Sequence, residues 1–406
     1  MHIYLKINSL KRLFYLLSFS LYFFVAFNPD LTNNFYIWHG MQLFIVVICF
    51  ANIRKLYLTF YTKWFLLYYF FLLLSCFWAT NPTQALTGVI YFFLIHVPIY
   101  TMYCWVQNKS DLILCMWSFV IGLVLNGIYI IKTAGFFTQI GVLTPGLMYW
   151  ASNATSRRYA LGCVLIIALL KLSSSKAGKI CMAVMMIPCA YVLLFCTSRG
   201  AFLIVAISIF VAIACSNDNQ LKKILLFSLL IIIIVLLYNF IMNNQYIYPL
   251  FGRKIEKFLN AASQSGVLGA EEDRVERIVD GINVFLNRPL IGYGYNGFAN
   301  NTRFTAYSHN DYVDTLCDIG LIGFFIYYSV FAYIVRFMPT AMKKEKTGGY
   351  SLIYGIIIAL IIFNIISVVR YDISIQACMC FACIIIEQDL WFGSIGKGGA
   401  MDEIEK

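Results

Sequence analysis

The chain has 406 residues, of which 61% are hydrophobic and only 12% are charged. A soluble domain of this size carries about 25% charged residues, so the composition excludes an ordinary soluble protein. The formal net charge is +11, but no Lys/Arg-rich tract with interleaved aromatic residues occurs, and nucleic-acid binding is not indicated.

The apolar residues are gathered in segments of about the length that a bilayer-spanning helix requires. In chain order the predicted spans are 13–28, 36–52, 64–79, 86–105, 111–131, 159–172, 179–196, 201–216, 222–242, 316–337, 352–369 and 373–390. The sixth is short, so we expect it to be tilted, broken or extended by the polar residues before it. The sequence therefore predicts an all-α polytopic membrane protein with about 12 transmembrane helices, in contact with the lipid bilayer.

The first span follows Lys6, Lys11 and Arg12, as in a secretory signal. No convincing small-residue cleavage site comes after it, and many further spans do. We therefore predict a retained first helix rather than a cleaved signal peptide.

The charges of the short loops alternate along the chain. The connections 28–35 and 80–85 carry no lysine or arginine, whereas Lys176 and Lys179, and later Lys343, mark loops of the other set. Because lysine and arginine are retained on the cytoplasmic side, we predict that both termini are cytoplasmic.

Two predicted outer segments are long, 132–158 and 243–315. Within the second, acidic residues precede apolar residues at three-to-four spacing, which predicts an amphipathic helix over about 272–287. The predicted organisation is spans one to nine in 1–242, the outer segment 243–315, and the last three spans with a tail in 316–406.

Several arginines fall on the predicted outer side, against the topology rule. They are Arg157, Arg158, Arg199, Arg274, Arg277, Arg288, Arg303 and Arg370. A guanidinium is always charged and matches phosphate oxygens in a bidentate fork, so the set suits an anionic ligand such as a lipid-linked diphosphate. The alternative is that these arginines contact lipid headgroups or acidic neighbours.

Of the four histidines, only His309 lies in a long outer segment. Imidazole titrates near neutral pH, which suits a general base. A lone histidine is more often structural, but the arginines around this one favour a catalytic role. His39 and His96 lie in or beside spans, and we expect each to hydrogen-bond a neighbouring helix.

Metal, redox and nucleotide chemistry are not indicated. The thirteen cysteines lie in or beside apolar segments and are interpreted as buried small hydrophobic residues. The pair Cys380 and Cys383 lies inside the last span without a second pair. The outer segments hold no cysteine and no second histidine, and no Walker A motif occurs, so we predict no metal and no cofactor.

The pattern around His309 resembles a known motif. His309-Asn310, followed after nine residues by Gly320-Leu321-Ile322-Gly323, is similar to the histidine motif of the bacterial O-antigen ligase and O-antigen polymerase superfamily. Other segments with the same resemblance, in the same order over about 70 to 395, are Trp78-Ala79-Thr80-Asn81-Pro82, Thr197-Ser198-Arg199-Gly200, Asp273-Arg274 and Arg288-Pro289-Leu290-Ile291-Gly292-Tyr293-Gly294.

The resemblance implies a metal-independent, inverting glycosyltransferase of the membrane-embedded C-type architecture. Its donor would be an oligosaccharide on undecaprenyl diphosphate, its acceptor a glycolipid, and a chain-length regulator would be a further partner. The site would lie on the periplasmic face of the bacterial cytoplasmic membrane.

The resemblance also assigns roles to residues. His309 matches the proposed base, and Arg199 and Arg274 match diphosphate-binding arginines. Arg157 or Arg158 would supply a further one; we place Arg158 in the binding set and Arg157 with Asn310 and Arg277 as supporting residues. Arg370 is added to the binding set from topology alone.

Three functions stay open at this point. We favour a repeat-unit polymerase of O-antigen or capsule, because the pattern is more general than ligase-specific. The first alternative is a ligase that transfers the glycan to lipid A–core. The second, from another class, is a flippase for the same lipid, although transporters tend to carry ionisable residues in mid-span.

Overall fold

The computed structural model describes residues 2–53, 58–134, 152–196, 198–216, 219–245, 248–253, 256, 270–304 and 306–388. In these ranges the chain is helical and contains no strand. The helices are α1 (His2–Phe27), α2 (Pro29–Thr32), α3 (Phe35–Phe50), α4 (Phe60–Ser75), α5 (Pro82–Trp105), α6 (Lys109–Ala134), α7 (Ser152–Leu172), α8 (Lys176–Phe195), α9 (Arg199–Ala214), α10 (Gln220–Asn243), α11 (Ala270–Asn287), α12 (Gly297–Asn301), α13 (Asp311–Lys344), α14 (Gly349–Phe363) and α15 (Ile373–Glu387).

Every predicted span overlaps one of these helices, and the all-helical, multi-pass character is confirmed. Among the described residues, six helices are long and apolar enough to cross a bilayer, and four shorter ones are apolar (Phe35–Phe50, Arg199–Ala214, Gly349–Phe363 and Ile373–Glu387). The count of about 12 spans, the orientation in the membrane and the three-part division of the chain stay predictions. The predicted amphipathic helix of about 272–287 is present as α11.

Polar capping residues explain where several helices begin. The Asn81 side chain accepts a hydrogen bond from the Gln84 amide at the start of α5. The Asn310 side chain accepts from two amides at the start of α13. Such caps satisfy amides that have no partner inside the helix, and they place the helix starts a few residues before the apolar segments.

Helix α15 occupies the centre of the bundle, because all of its residues are buried. It packs against α5, α6, α13 and α14. Small side chains such as Ala377, Cys380 and Ala382 allow neighbouring helices to approach closely. All thirteen cysteines are free, but Cys181 and Cys215 are exposed, so their predicted burial is wrong. Cys181 is exposed because it lies on the peripheral helix α8, whose apolar window is only 22% buried.

The two membrane histidines differ. His96 on α5 pairs with the Tyr69 hydroxyl on α4, as predicted. His39 Nδ1 instead pairs with Gln42 on its own helix, at 2.8 Å. The expected contact to another helix is therefore wrong for His39, since a residue one turn away is already within reach.

Helix α13 is broken near its start. Gly320 has φ 62° and ψ −168°, a conformation that favours glycine. The amides that follow, Leu321 and Ile322, donate to the carbonyls of Pro289 and Leu290 at 2.8 and 3.1 Å. A Cβ on Gly320 would lie 2.4 Å from the Leu290 carbonyl carbon. The chain after α11 therefore occupies the break in α13, which fixes the segment that leads to His309.

The two ends of the bundle carry different loops. Lys109, Lys344 and Glu345 line a small cavity at one end. The neutral connection before α5 lies at the other end, where the Thr80 amide donates to the Tyr293 carbonyl at 3.1 Å. This second end also carries His309 at the start of α13.

Candidate functional site: a cavity lined by arginines and a histidine

A cavity of about 930 Å³ opens at the end of the bundle that carries His309. Residues from α7, α9 and α14 form one side, and residues from α11, α12 and the first turns of α13 form the other. Its ionisable wall residues are Arg157, Arg199, Arg274, His309, Asp314, Asp318, Arg370 and Tyr371, together with Tyr307. The structure thus brings residues from distant parts of the sequence around one space.

His309 lies in a short loop with a fixed path. Its φ is 65°, which is uncommon for a residue with a side chain and marks a constrained position. The amide of the preceding residue, Ser308, donates to Asp314 Oδ1 at 2.8 Å. Asn310 caps α13 through the amides of Tyr312 and Val313, which fixes the end of this loop. The Tyr307 ring lies 4.7 Å from the imidazole ring.

Arg199 is the first residue of α9, and its side chain is exposed. A cation at this place opposes the helix dipole, whose positive end is at the N-terminus. The next residue, Gly200, allows close packing against α14, because a Cβ there would lie 2.5 Å from the Phe363 ring. The sequence therefore places a guanidinium and the N-terminal end of a helix on the same cavity wall, an arrangement that suits an anion.

Arg274 lies in the first turns of α11, is exposed, and lines the cavity. Arg277, one turn later, is not on the cavity wall. Its guanidinium lies 4.3 Å from the centre of the Phe304 ring and donates to the Tyr307 carbonyl at 3.4 Å. Arg277 therefore contacts the loop that carries His309, consistent with a supporting place.

Arg157 and Arg158 point to different spaces, since consecutive helix residues are rotated by about 100°. Arg157 is on the cavity wall, whereas Arg158 lines a neighbouring cavity of about 360 Å³. Arg157, predicted as a supporting residue, therefore lies on the wall of the larger cavity, and Arg158, predicted as a binding residue, lies on that of its neighbour. Both contact the buried carboxylate of Asp372. Burial raises the pKa of Asp372. The Arg158 and Arg157 guanidiniums together lower it by more than burial raises it, so the pKa of this carboxyl is below its ordinary value.

Arg370 lines the cavity but is only 3% exposed. Its guanidinium donates to Thr315 Oγ1 at 2.7 Å and to Asp318 Oδ2 at 2.5 Å. Asp311 Oδ1 lies 4.0 Å from its Nε atom. Two of its nitrogens are therefore engaged by α13, and this predicted ligand-binding arginine is foremost an internal partner of that helix.

Sequence reasoning missed the buried carboxylates of α13, Asp311, Asp314 and Asp318, which are at most 3% exposed. They recur at a spacing of three and four residues, so they share one face of the helix. That spacing at the start of an apolar segment was the available signal. Among the described residues, no group of three or more His, Cys, Asp or Glu side chains could hold a metal ion; metal independence stays a prediction.

Residues 183–328 match the model of the O-antigen ligase family. The resemblance to the O-antigen ligase and polymerase superfamily is confirmed over this segment. The matched segment contains Arg199, Arg274 and His309, whereas Arg157 and Arg370 lie outside it. No curated protein matches the chain. The family is one of membrane glycosyltransferases, in agreement with the multi-pass helical fold.

Proposed function

We propose that the chain is a glycosyltransferase that moves a glycan from undecaprenyl diphosphate to a sugar hydroxyl of an acceptor glycolipid, on the periplasmic face of the bacterial cytoplasmic membrane. We favour the repeat-unit polymerase reaction. The observation that carries the proposal is the common cavity of His309, Arg199, Arg274 and Arg157, whose first three members lie in the segment that matches the O-antigen ligase family.

In the proposed reaction, the exposed guanidiniums of Arg199 and Arg274 bind the diphosphate. Arg157, held by Asp372, adds a fixed positive charge. The bond between the anomeric carbon and the diphosphate oxygen breaks, and the electron pair leaves with the diphosphate. Guanidiniums placed before the reaction stabilise that developing charge without reorganisation.

His309 is proposed as the general base. It takes the proton of the acceptor hydroxyl while that oxygen forms a bond to the anomeric carbon on the face opposite the leaving group, which inverts the configuration. The left-handed backbone at His309 and the bond from Ser308 to Asp314 hold the imidazole at the cavity wall. Fixed geometry of this kind favours proton transfer.

Arg370, which is buried, and Arg158, whose side chain is 20% exposed, receive other roles in the proposal. Arg370 positions the first turns of α13 through Asp318 and Thr315. Arg158 shares Asp372 with Arg157 and so orients its neighbour. No cofactor or metal takes part.

The test uses the purified protein in lipid nanodiscs with a defined undecaprenyl-diphosphate oligosaccharide, followed by sizing of the products. We expect a ladder of longer lipid-linked chains, and its loss in His309→Ala and Arg199→Ala. Arg303→Ala is the matched control, because Arg303 is also at this end, is 60% exposed and pairs with Glu276 away from the cavity.

The same assay separates the alternatives. Extension only after lipid A–core is added would make the protein a ligase. Lipid flipping in proteoliposomes without any glycan extension would make it a transporter. Full activity of either His309→Ala or Arg199→Ala would overturn the role assigned to that residue.

A further inference from the structure

A groove adjoins the arginine-lined cavity at the same end of the bundle. It has a volume of about 850 Å³ and is lined by Asn81, Thr83, Gln84, Thr87, Gly88, Tyr91, Tyr295 and Asn296. None of these lining residues is charged, in contrast to the arginine-rich cavity. Asn296 lines both spaces, so the groove and the cavity are neighbours.

One wall of the groove is a polar face of α5. Gln84, Thr87, Gly88 and Tyr91 recur at three-to-four spacing and therefore share one side of the helix. Tyr91 is 50% exposed, and Gln84 and Thr87 are also exposed. This face leaves amide and hydroxyl groups, and one aromatic ring, open to a ligand.

The opposite wall depends on Gly88. A Cβ at this position would lie 2.2 Å from Cε1 of Tyr295, so the glycine allows the Tyr295 ring to rest against α5. Tyr295 also contacts the Tyr371 ring edge-on, with 5.5 Å between the centroids. Burial raises the pKa of Tyr295 to about 12, and its hydroxyl therefore stays protonated at neutral pH.

The segment Trp78–Pro82, which the proposed mechanism does not use, ties the two walls together. Trp78 Nε1 donates to the Ile291 carbonyl at 3.1 Å. The Thr80 amide donates to the Tyr293 carbonyl at 3.1 Å, and the Thr80 hydroxyl pairs with Asn301. The start of α5 is thereby fixed to the loop that carries Tyr295, so the groove has a built shape.

The chemistry of the walls selects among ligands. An acyl chain here would leave the amides and hydroxyls without partners, which is costly. A phosphate would find no cation on these walls. A sugar presents hydroxyls that both donate and accept hydrogen bonds, as the Asn, Gln and Thr side chains do. Its apolar C–H face suits an aromatic ring with a polar tip.

We propose that this groove binds uncharged sugar residues of the glycan while the diphosphate occupies the neighbouring cavity. The proposal rests on the proposed transferase function. The same sugar chemistry is present in the donor chain and in the acceptor, and the experiment has an arm for each.

The first measurement is binding without turnover. The probe is the free oligosaccharide released by mild acid from the same undecaprenyl-diphosphate substrate, and binding is followed by saturation-transfer NMR on the purified protein. We expect the double variant Gln84→Ala/Tyr91→Ala to bind the oligosaccharide about tenfold more weakly. Gly88→Ala should also weaken binding, because its Cβ displaces the Tyr295 ring. Tyr36→Ala is the matched control, because Tyr36 is 85% exposed and outside the groove. Unchanged binding in both groove variants overturns the proposal.

The second measurement varies donor chain and single-repeat acceptor separately in the transfer assay. A higher KM for the acceptor, with kcat retained, assigns the groove to acceptor sugars; a higher KM for the donor assigns it to the donor glycan. A fall in kcat alone, or no change, overturns the proposal. Absence of transfer in the unaltered protein would overturn the proposed function. The binding measurement would still show whether the groove binds the oligosaccharide.

Discussion

Arg157 donates to Asp372 across 2.9 Å, and their side chains are only 7% and 4% exposed. Arg158 lies 3.4 Å from the same carboxylate oxygen. A buried cation and a partly exposed one therefore share one buried anion beside the cavity, which leaves this part of the wall with a surplus positive charge. A buried ion pair of this kind is weak support for stability but strongly destabilising when one partner is removed.

We predict that Asp372→Asn lowers the free energy of unfolding by about 3–5 kcal/mol. The folded pKa of Asp372 is below its unfolded value of about 3.9. Its contribution is therefore fully present above that value and is lost as the pH falls toward the folded pKa. Thermal unfolding in detergent should show that the free energy of unfolding differs between the unaltered protein and Asp372→Asn by a constant amount from pH 5 to 8. A difference that shrinks within that window would contradict the prediction; exposed Asp30→Asn is the control.

Substitution of His309 by glycine separates the effect of the backbone conformation on folding from the effect of the imidazole on transfer. Glycine accepts a φ of 65° without strain, so the variant should fold with an unchanged unfolding temperature. Loss of a general base lowers kcat by about 10²–10⁴-fold. Added imidazole should restore part of the rate, and single-turnover transfer measures it. A rate that stays at the unaltered level without imidazole would show that His309 is not the base.

The Arg199 guanidinium is exposed at the start of α9, so its substitution should not affect folding. Arg199→Ala is expected to lower transfer by roughly 10²–10³-fold, the range for loss of one preorganised donor at a developing charge. Arg199→Lys retains the charge but not the bidentate fork. Its transfer rate should therefore fall between those of the unaltered protein and Arg199→Ala. Equal rates for the lysine and alanine variants would mean that charge at this position does not act on the diphosphate.

Gly320→Ala should prevent the chain from occupying the break in α13. The new Cβ would lie 2.4 Å from the carbonyl carbon of Leu290, and the positive φ with extended ψ, a conformation adopted essentially by glycine alone, adds about 1–3 kcal/mol of strain. We expect loss of the folded, monodisperse protein in fluorescence-detected size exclusion. Gly40→Ala is the matched control, since no atom lies within 4 Å of a Cβ there. Normal behaviour of Gly320→Ala would show that the two segments are not interlocked.

Hydrophobic segments predicted the helices well, but they set several helix starts too late. Helix α7 begins at Ser152, whereas the apolar segment begins at about residue 159. Its first turns are polar and become buried only because Asp372, more than two hundred residues later, balances their charge. The break at Gly320 was equally hidden, since the apolar segment runs through it and its partner is the distant Leu290 carbonyl.

The candidate site was predictable where a charge stood against the topology rule. Arg199 and Arg274 were found in this way, and His309 as the one histidine of a long predicted outer segment; all three line the cavity. The choice between Arg157 and Arg158 depends on the rotation of α7, which no local pattern sets. The burial of Arg370 depends on Asp318, a partner 52 residues away in the sequence.

The break in α13 also has a consequence for synthesis. Pro289 and Leu290 leave the ribosome before Leu321 and Ile322, the residues whose amides donate hydrogen bonds to their carbonyls. The segment between α11 and α13 cannot take its final course until the start of α13 has been translated. A nascent chain that ends before residue 320 thus contains most of the helices, but the cavity beside His309 is not yet complete.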